Sequence, residues 1–267
     1  MIDDFITAHA GPIRLIAFVS ILAVMMLWQT AAPFRSRGLG GRRSIANLGL
    51  VIIDAVALRV LFPAAALGAA LFAAHHHVGI LTLLDLPGWL SAGIAIVALD
   101  LAIYGQHVAT HHVGFLWRLH RVHHSDLVVG VTTALRFHPA EIVLSMIFKL
   151  GVVVALGAPA AAVVLFEVLL NGLAMFNHAN IRLPDDWERL LRRVIVTPDM
   201  HRVHHSAWCE ETNSNYGFCL SLWDRLFGTY RDQPRDGHSG MMVGLTVFRD
   251  HRAQRLDRLL LQPLLDR

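Results

Sequence analysis

The residues best placed to do chemistry are histidines. Seventeen occur in the 267-residue chain, and ten fall into a pattern. His107 and His111 stand four apart, so a helix would carry both on one face. His120, His123 and His124 stand at i, i+3 and i+4, again one face, and His201, His204 and His205 repeat that spacing. His138 and His178 stand singly between these boxes. Imidazole suits Fe, Zn, Cu and Ni. One ion takes three or four protein ligands, so eight to ten converging histidines imply two ions, about 3.5–4 Å apart in such centres. His112 points away from His111, and His75, His76 and His77 fall in a segment expected on the opposite side of the molecule. His9, His238 and His251 are taken as ordinary. Cys209 and Cys219 are the only cysteines, too few for a disulfide framework or a thiolate cluster. The carboxylates do not form the Glu-x-x-His pairs of carboxylate di-iron bundles. There is no His-Glu-x-x-His, Gly-x-Ser-x-Gly, phosphate loop or Cys-x-x-Cys.

The elements that must hold these histidines are membrane helices. Hydrophobic residues make up 55% of the chain, charged residues 16%, and mean hydropathy is +0.50. A soluble domain carries about 25% charged residues, so this composition excludes an ordinary soluble globule, a disordered chain and a coiled coil. Five apolar segments approach the roughly 20 residues that cross a bilayer: 13–32, 47–74 with Pro63 as a kink, 89–108, 142–156 and 160–176. The last two are separated only by Gly157-Ala158-Pro159, which reads as a helical hairpin that either crosses or dips into the bilayer. The first segment runs on into an arginine-rich loop with no small-residue cleavage site and reads as a retained anchor. Basic loops (Arg35, Arg37, Arg42 and Arg43; Arg118, Arg121 and Arg136; the region from Arg182 onward) alternate with loops that hold no Lys or Arg. That alternation predicts an external N-terminus and cytoplasmic histidine boxes. The fold expected is all-α, a membrane stem of about four to five helices under a cytoplasmic histidine-rich cap. Residues 1–267 read as one domain: N-terminal membrane helices (1–88), a histidine-box core (89–231) and a C-terminal tail (232–267).

Residues around the boxes suggest support for them. Asp100, Tyr104, His107 and His111 form one stripe on the third helix, and a carboxylate inside a membrane helix is costly and functional by default. Asp100 is placed to accept the free N–H of a ligating histidine or to make a polar contact between helices. Glu167, Asn171 and His178 form a similar stripe on the fifth helix. Asp54 and Arg59 are five apart, do not face each other, and receive no role. From Phe248 onward, Leu256, Leu259 and Leu260 share a face beside Arg252, Arg255 and Arg258. That is the pattern of an amphipathic helix, lying either on the membrane or on the cap.

The ordered boxes resemble those of the fatty acid hydroxylase/sterol desaturase superfamily of integral-membrane di-iron oxygenases. The resemblance lies in His107-x-x-x-His111, "LWRLHRVHHSD" at 116–126 and "TPDMHRVHHS" at 197–206, with "RFHPAE" at 136–141, "FNHANI" at 176–181 and "NYGFCLSLWDRLFGTY" at 215–230 between and after them. It covers about residues 96–231. One departure is Val108, where many members have Arg after the first histidine; it removes no ligand. The resemblance implies that His107, His111, His120, His123, His124, His201, His204 and His205 bind metal, joined by His138 and His178. Asp100, Tyr104 and Asn180 would support them from behind.

It further implies two iron ions, with zinc able to replace iron in purified protein, and O2 as co-substrate. The reaction would hydroxylate or desaturate a C–H bond of a sterol, fatty acyl or related lipid. No flavin, haem or ferredoxin signature is present, so electrons would come from a separate ferredoxin or cytochrome. The expected location is a bacterial cytoplasmic membrane, multi-pass, with no nucleic-acid partner. Two rival readings are a zinc-dependent lipid hydrolase, which would want a carboxylate base near its water, and a membrane metal-binding or transport protein, which would place ligands along a path through the bilayer.

Overall fold

The computed structural model describes residues 2–35 and 41–266. Of the basic loop, Arg37 and the Arg42 side chain lie outside the described residues. All regular structure among the described residues is helical; the only β pairing is two isolated bridges, Ile195 with Leu220 and Ser206 with Val243. The stem comprises α1 (Ile2–Ala8), α2 (Ala10–Ala31), α3 (Gly41–Leu61), α4 (Ala65–His76), α5 (Gly88–His112), α7 (Pro139–Leu156) and α8 (Ala160–Asn177). The cap comprises α6 (Gly114–His124) and the short helices α9 (Asp185–Leu191), α10 (Pro198–His204), α11 (Cys209–Thr212), α12 (Leu222–Leu226), α13 (Gly237–Gly240) and α14 (Leu256–Leu261).

Five stretches are long and apolar enough to cross a membrane: α2, the span 43–83 containing α3 and α4, α5, α7 and α8. Half of the α8 span is buried against 11% of α2, so α8 is the central pole and α2 an outer wall. Leu15, Ile16, Val19, Val24 and Leu27 on α2 and Ile52, Val56 and Val60 on α3 are exposed, as side chains facing lipid are. The core joins α4, α5, α7 and α8 through Ala66, Ala70, Leu99, Val153 and Phe166. Ala66 and Ala70 have no exposed surface, and their small side chains let α4 approach α7 closely.

The kink expected at Pro63 is a full break. α3 ends at Leu61 and α4 begins at Ala65, whose φ is +46°. Proline withholds an N–H and biases the residue before it away from the helix. At 1.5 Å per residue α4 is about 18 Å long, too short to cross alone. The hairpin helices α7 and α8 have 18 residues each, about 27 Å, enough to span the apolar core. α7 begins with Pro139 in its first turn and ends at Gly157 in the left-handed conformation (φ +64°). Gly79 (φ +108°) packs backbone to backbone on that turn. A Cβ at Gly79 would stand 2.1 Å from Gly157 N, so only glycine fits.

The C-terminal helix packs on the protein, against α3 and Val122 of α6. Leu259 is fully buried with Ala46, Leu50 and Val122. Arg118 donates to the Pro263 carbonyl, and Arg121 to those of Gln262 and Leu265, which straps the tail to α6. A buried network locks α3 beneath α6: Arg43 pairs with Asp126 at 2.5 Å, and Arg136, with no exposed surface, donates to Val122 O, Asn47 Oδ1 and Ser125 Oγ.

Candidate metal centre

Four elements end at one level and bring nine histidines together. His107 and His111 lie in the last turns of α5, and Val113 both ends α5 and begins α6, which carries His120, His123 and His124. His178 caps the C-terminus of α8. α10 carries His201 and His204, with His205 as its C-cap, and starts at Thr197, whose side chain accepts from Met200 N. All nine are buried.

The nine divide into two sets. His107, His111, His120, His124 and His204 present ring nitrogens within 4.8 Å of one another, and so do His123, His178, His201 and His205. The spacing of the boxes explains the division. In α6 the i and i+4 residues, His120 and His124, go to the first set and the i+3 residue, His123, to the second. In α10 the i and i+4 residues, His201 and His205, go to the second set and the i+3 residue, His204, to the first. Each box therefore straddles both sets, and the sets touch, with ring centroids 4.6 Å apart for His124 and His205.

The donor set fits two transition-metal ions. Burial pushes the His123, His124, His201 and His205 rings well below the usual histidine range, with neighbouring imidazoles adding to the effect. Burial likewise lowers His178 to about 4 and His204 to about 3. These rings are neutral, as metal ligands must be. In the first set the Nε2 atoms of His111, His124 and His204 are buried without a hydrogen-bond partner, a cost of about 1–3 kcal/mol for each unsatisfied group. His107 Nε2 faces His120 Nε2 at 3.2 Å. In the second set His178 Nε2 lies 3.2, 3.0 and 3.2 Å from the Nε2 atoms of His123, His201 and His205. Lone pairs crowded in this way repel unless a cation lies among them. Five and four imidazoles suit first-row metals such as iron or zinc.

Five rings are oriented by the opposite nitrogen. Nδ1 of His107 donates to Tyr216 O at 2.6 Å, of His204 to Ser214 O at 2.7 Å and of His178 to Ala174 O at 2.7 Å. Nδ1 of His111 meets Asn213 Oδ1 at 3.2 Å, and that of His120 meets Glu141 Oε1 at 2.6 Å. Such partners fix the tautomer and aim the free nitrogen inward. Segment 213–216 thus supplies three of the five acceptors. Asp224 holds it by accepting from the Tyr216 and Gly217 amides at 2.7 and 2.8 Å. Sequence reasoning assigned no role to Glu141, Asn213, Ser214, Tyr216 or Asp224. Glu141, Tyr216 and Asp224 lie in the family-like segments, their only signal; Asn213 and Ser214, just before the last of these, had none.

The remaining expected residues lie elsewhere. His138 is outside both sets: it caps the N-terminus of α7, its Nδ1 accepting from Ala140 N at 3.1 Å and its Nε2 meeting Leu260 O at 3.2 Å. Asp100 touches no histidine. It accepts from the amides of Cys219 and Leu220 and from Trp223 Nε1, at 3.2, 3.1 and 2.8 Å, and so ties the cap to α5. Tyr104 meets Thr229 Oγ1 at 2.9 Å. Asn180 pairs with the backbone of Arg35 at 3.1 and 2.9 Å, away from the rings. His112 sits behind the site on Tyr216 OH at 3.0 Å.

A cavity of about 410 Å³ opens from the first set into the stem, with His107, His120 and Phe137 in its wall. It is within the size of small-molecule sites.

A profile of the fatty acid hydroxylase family matches residues 92–229, the stretch that carries the boxes. The chain is 30% identical over 153 residues to an ornithine lipid hydroxylase, OlsE, of Rhizobium tropici, covering 57% of this chain and 45% of that one. It is 33% identical over 150 residues to an alkylglycerol monooxygenase of Danio rerio, covering 55% and 32%. It is 29% identical over 196 residues to a Delta(7)-sterol 5(6)-desaturase, erg3B, of Aspergillus fumigatus, covering 67% and 53%. The chain thus spans about a third to a half of the length of these relatives. No solved structure gives a significant match.

Proposed function

The chain belongs to the fatty acid hydroxylase family, and from that premise we propose that it hydroxylates or desaturates a membrane lipid with O2 at two iron ions held by the two histidine sets. One observation carries the reading: nine buried, neutral-type imidazoles in two touching sets at the end of apolar helices, with His107 and His120 opening onto a cavity in the stem. The relatives' names (lipid hydroxylase, monooxygenase, desaturase) support it. When bound, the metal pair would supply the reduction of O2 needed to attack an unactivated C–H bond.

The chain's own residues do the rest. His107, His111, His120, His124 and His204 would hold one ion, and His123, His178, His201 and His205 the other. Tyr216, Ser214, Asn213 and Glu141 keep their rings aimed. Phe137, stacked 4.6 Å from the His123 ring, shields the second set. The cavity admits substrate to the first set from the membrane side and keeps bulk water out. In the hydroxylase branch a C–H bond breaks and a C–O bond forms. The second oxygen leaves as water, using two protons and two electrons from an external ferredoxin or cytochrome.

The test begins with metal content in protein from iron-replete cells; two ions per chain, iron in the active form, are expected. Labelled O2, an electron donor and a native lipid extract are then supplied to membranes containing the protein. Label in a new lipid hydroxyl, or loss of two hydrogens with labelled water, supports the reading. Fewer than two metals, or label entering cleaved lipids from solvent without O2 uptake, overturns it.

A further inference from the structure

The cap carries an apolar surface that no described residue covers. Trp187 and Leu190 on α9, Val194 in the turn after it, and Leu222, Leu226 and Phe227 on and after α12 are each exposed by half or more. The two groups are joined. Ser221 N donates to Val194 O at 3.0 Å, Arg225 donates to Arg192 O at 3.0 Å, and Ile195 pairs with Leu220. Leu222 and Leu226 stand four apart, so they share one face of α12. Single apolar side chains are ordinary on a surface, but a group running over two joined elements marks contact with a protein or a membrane.

The level of this surface decides between the two. Ile94, Val97 and Leu101 of α5 are exposed, at i, i+3 and i+7, and form the stripe that this membrane helix turns toward lipid. The same stripe continues at Tyr104 and Val108, and there the cap lies on it. Tyr104 packs with Trp223, Val108 and Leu220, and the Phe227 ring stacks on it with centroids 5.4 Å apart. One turn away, Asp100 holds the amides of Cys219 and Leu220 and the Trp223 indole. Along α5, Asp100 lies about 18 Å and Tyr104 about 24 Å from Gly88. Both distances fall short of the roughly 30 Å that the apolar core of a bilayer measures. A segment on the lipid-facing side of a helix within that depth meets lipid with its own outer side. Its backbone is provided for, as hydrocarbon requires. The Cys219 and Leu220 amides are bonded to Asp100 and the Ser221 amide to Val194 O, and Cys219 O accepts from Val196 N.

We infer that α12 and the turn after α9 are inserted in the cap-side leaflet of the bilayer, their apolar face among the acyl chains and Arg193 and Arg225 at the level of the phosphates. Both arginines are exposed and neighbour Val194 and Leu226 in the chain. A long stem carries such a charge to the headgroups while its carbons stay in apolar surroundings. The occupant of this surface is thus the membrane in which the stem already stands, and not a soluble protein. The contact bears on the metal centre as well. Asp224 of α12 holds the Tyr216 and Gly217 amides, and segment 213–216 supplies the acceptors of His107, His111 and His204. The leaflet thereby supports the helix that seats these three rings. The inference needs the membrane stem but not the oxidation chemistry.

Spin labels test this in the full chain, loaded with diamagnetic zinc and reconstituted in vesicles of phosphatidylcholine and phosphatidylglycerol. Leu226→Cys and Val194→Cys are labelled in a Cys209→Ser background; Cys219 is buried and stays. Ser239→Cys, exposed on α13, is the reference in water. Power saturation reads collisions with O2, which dissolves in lipid, and with a nickel chelate, which stays in water. The ratio of O2 to nickel collisions should be several-fold higher at 226 and 194 than at 239. Nickel collisions at 226 or 194 as frequent as at 239 overturn the inference. So does a label that neither reagent reaches, because protein then covers the surface. All three labelled positions are exposed, and zinc content equal to that of the unlabelled protein verifies the fold. Lipid oxidation by a protein whose α12 proves wet would leave the proposed function standing and sink this inference alone.

Discussion

Protons and metal ions compete for the same ring nitrogens, and at His178 and His204 burial decides against the proton. A free imidazole titrates near 6.5, but the His178 ring is lowered to about 4 and the His204 ring to about 3. Below pH 6.5 the unfolded chain takes up protons that the folded one refuses until near pH 4. The stability contributed by these rings is therefore complete above 6.5 and is lost as the pH falls from there toward 4. Metal content, measured after dialysis, should be level from pH 8 to about 5 and decline as the pH approaches the folded values of about 4 and 3. A decline that begins above pH 7 would contradict the burial argument. Single substitutions separate the histidines by role. His204→Ala should lose metal and all activity. His138→Ala should keep its metal and destabilise the start of α7 by about 1 kcal/mol, the value of a lost N-terminal cap. Metal analysis beside thermal unfolding reads both. Asp100→Asn leaves every histidine contact in place but weakens three hydrogen bonds to the cap. It should lower the unfolding temperature while each folded molecule retains its metal.

Helix ends meet neighbouring turns where backbones touch, as Gly79 does with Gly157 at the end of α7. Gly79→Ala sets a Cβ against the Gly157 amide and forces a left-handed φ on alanine. The expected cost is about 3 kcal/mol or more, seen as a fall in unfolding temperature. Gly105, around which a Cβ meets nothing within 4 Å, is the control and should tolerate alanine. The contrast shows what a sequence conceals. The two H-x-x-H-H boxes are legible because helical periodicity alone places their members on one face, and five apolar runs are legible because length and composition define them. A lone histidine has no periodic companion, so spacing could not separate His178, which joins the second set, from His138, which caps a helix. Asp100 was legible as a costly intramembrane carboxylate, but not its partners, which come from more than a hundred residues further along. Asp54 looked idle because Arg59, the nearby opposite charge, stands at neither i+3 nor i+4; its place in the cavity depends on how α3 packs against α7. The break at Pro63 exceeded the expected kink because Phe62 and Ala65 also left helical geometry.

For the molecule as a whole, the alternation of arginine-rich and arginine-free loops predicts which side of the membrane holds the cap. Reporters fused after Arg43 and after Arg267 should both read cytoplasmic, and one within 78–86 should read external. A cytoplasmic signal from 78–86, or an external one at either basic position, would reverse the assignment. Each histidine set also draws on remote parts of the chain: the first spans 107 to 204 and the second 123 to 205. This imposes an order on biosynthesis. No metal site can be completed while the ribosome still holds residues 201–205, which follow all the stem helices, α8 included, in the chain. Metal acquisition must then be the last step of maturation, after insertion, and the ion joins segments that no neighbouring loop could keep together. If iron fills the two sets as proposed, an iron-starved cell would accumulate chains with a finished stem and nine histidines left without an ion between them.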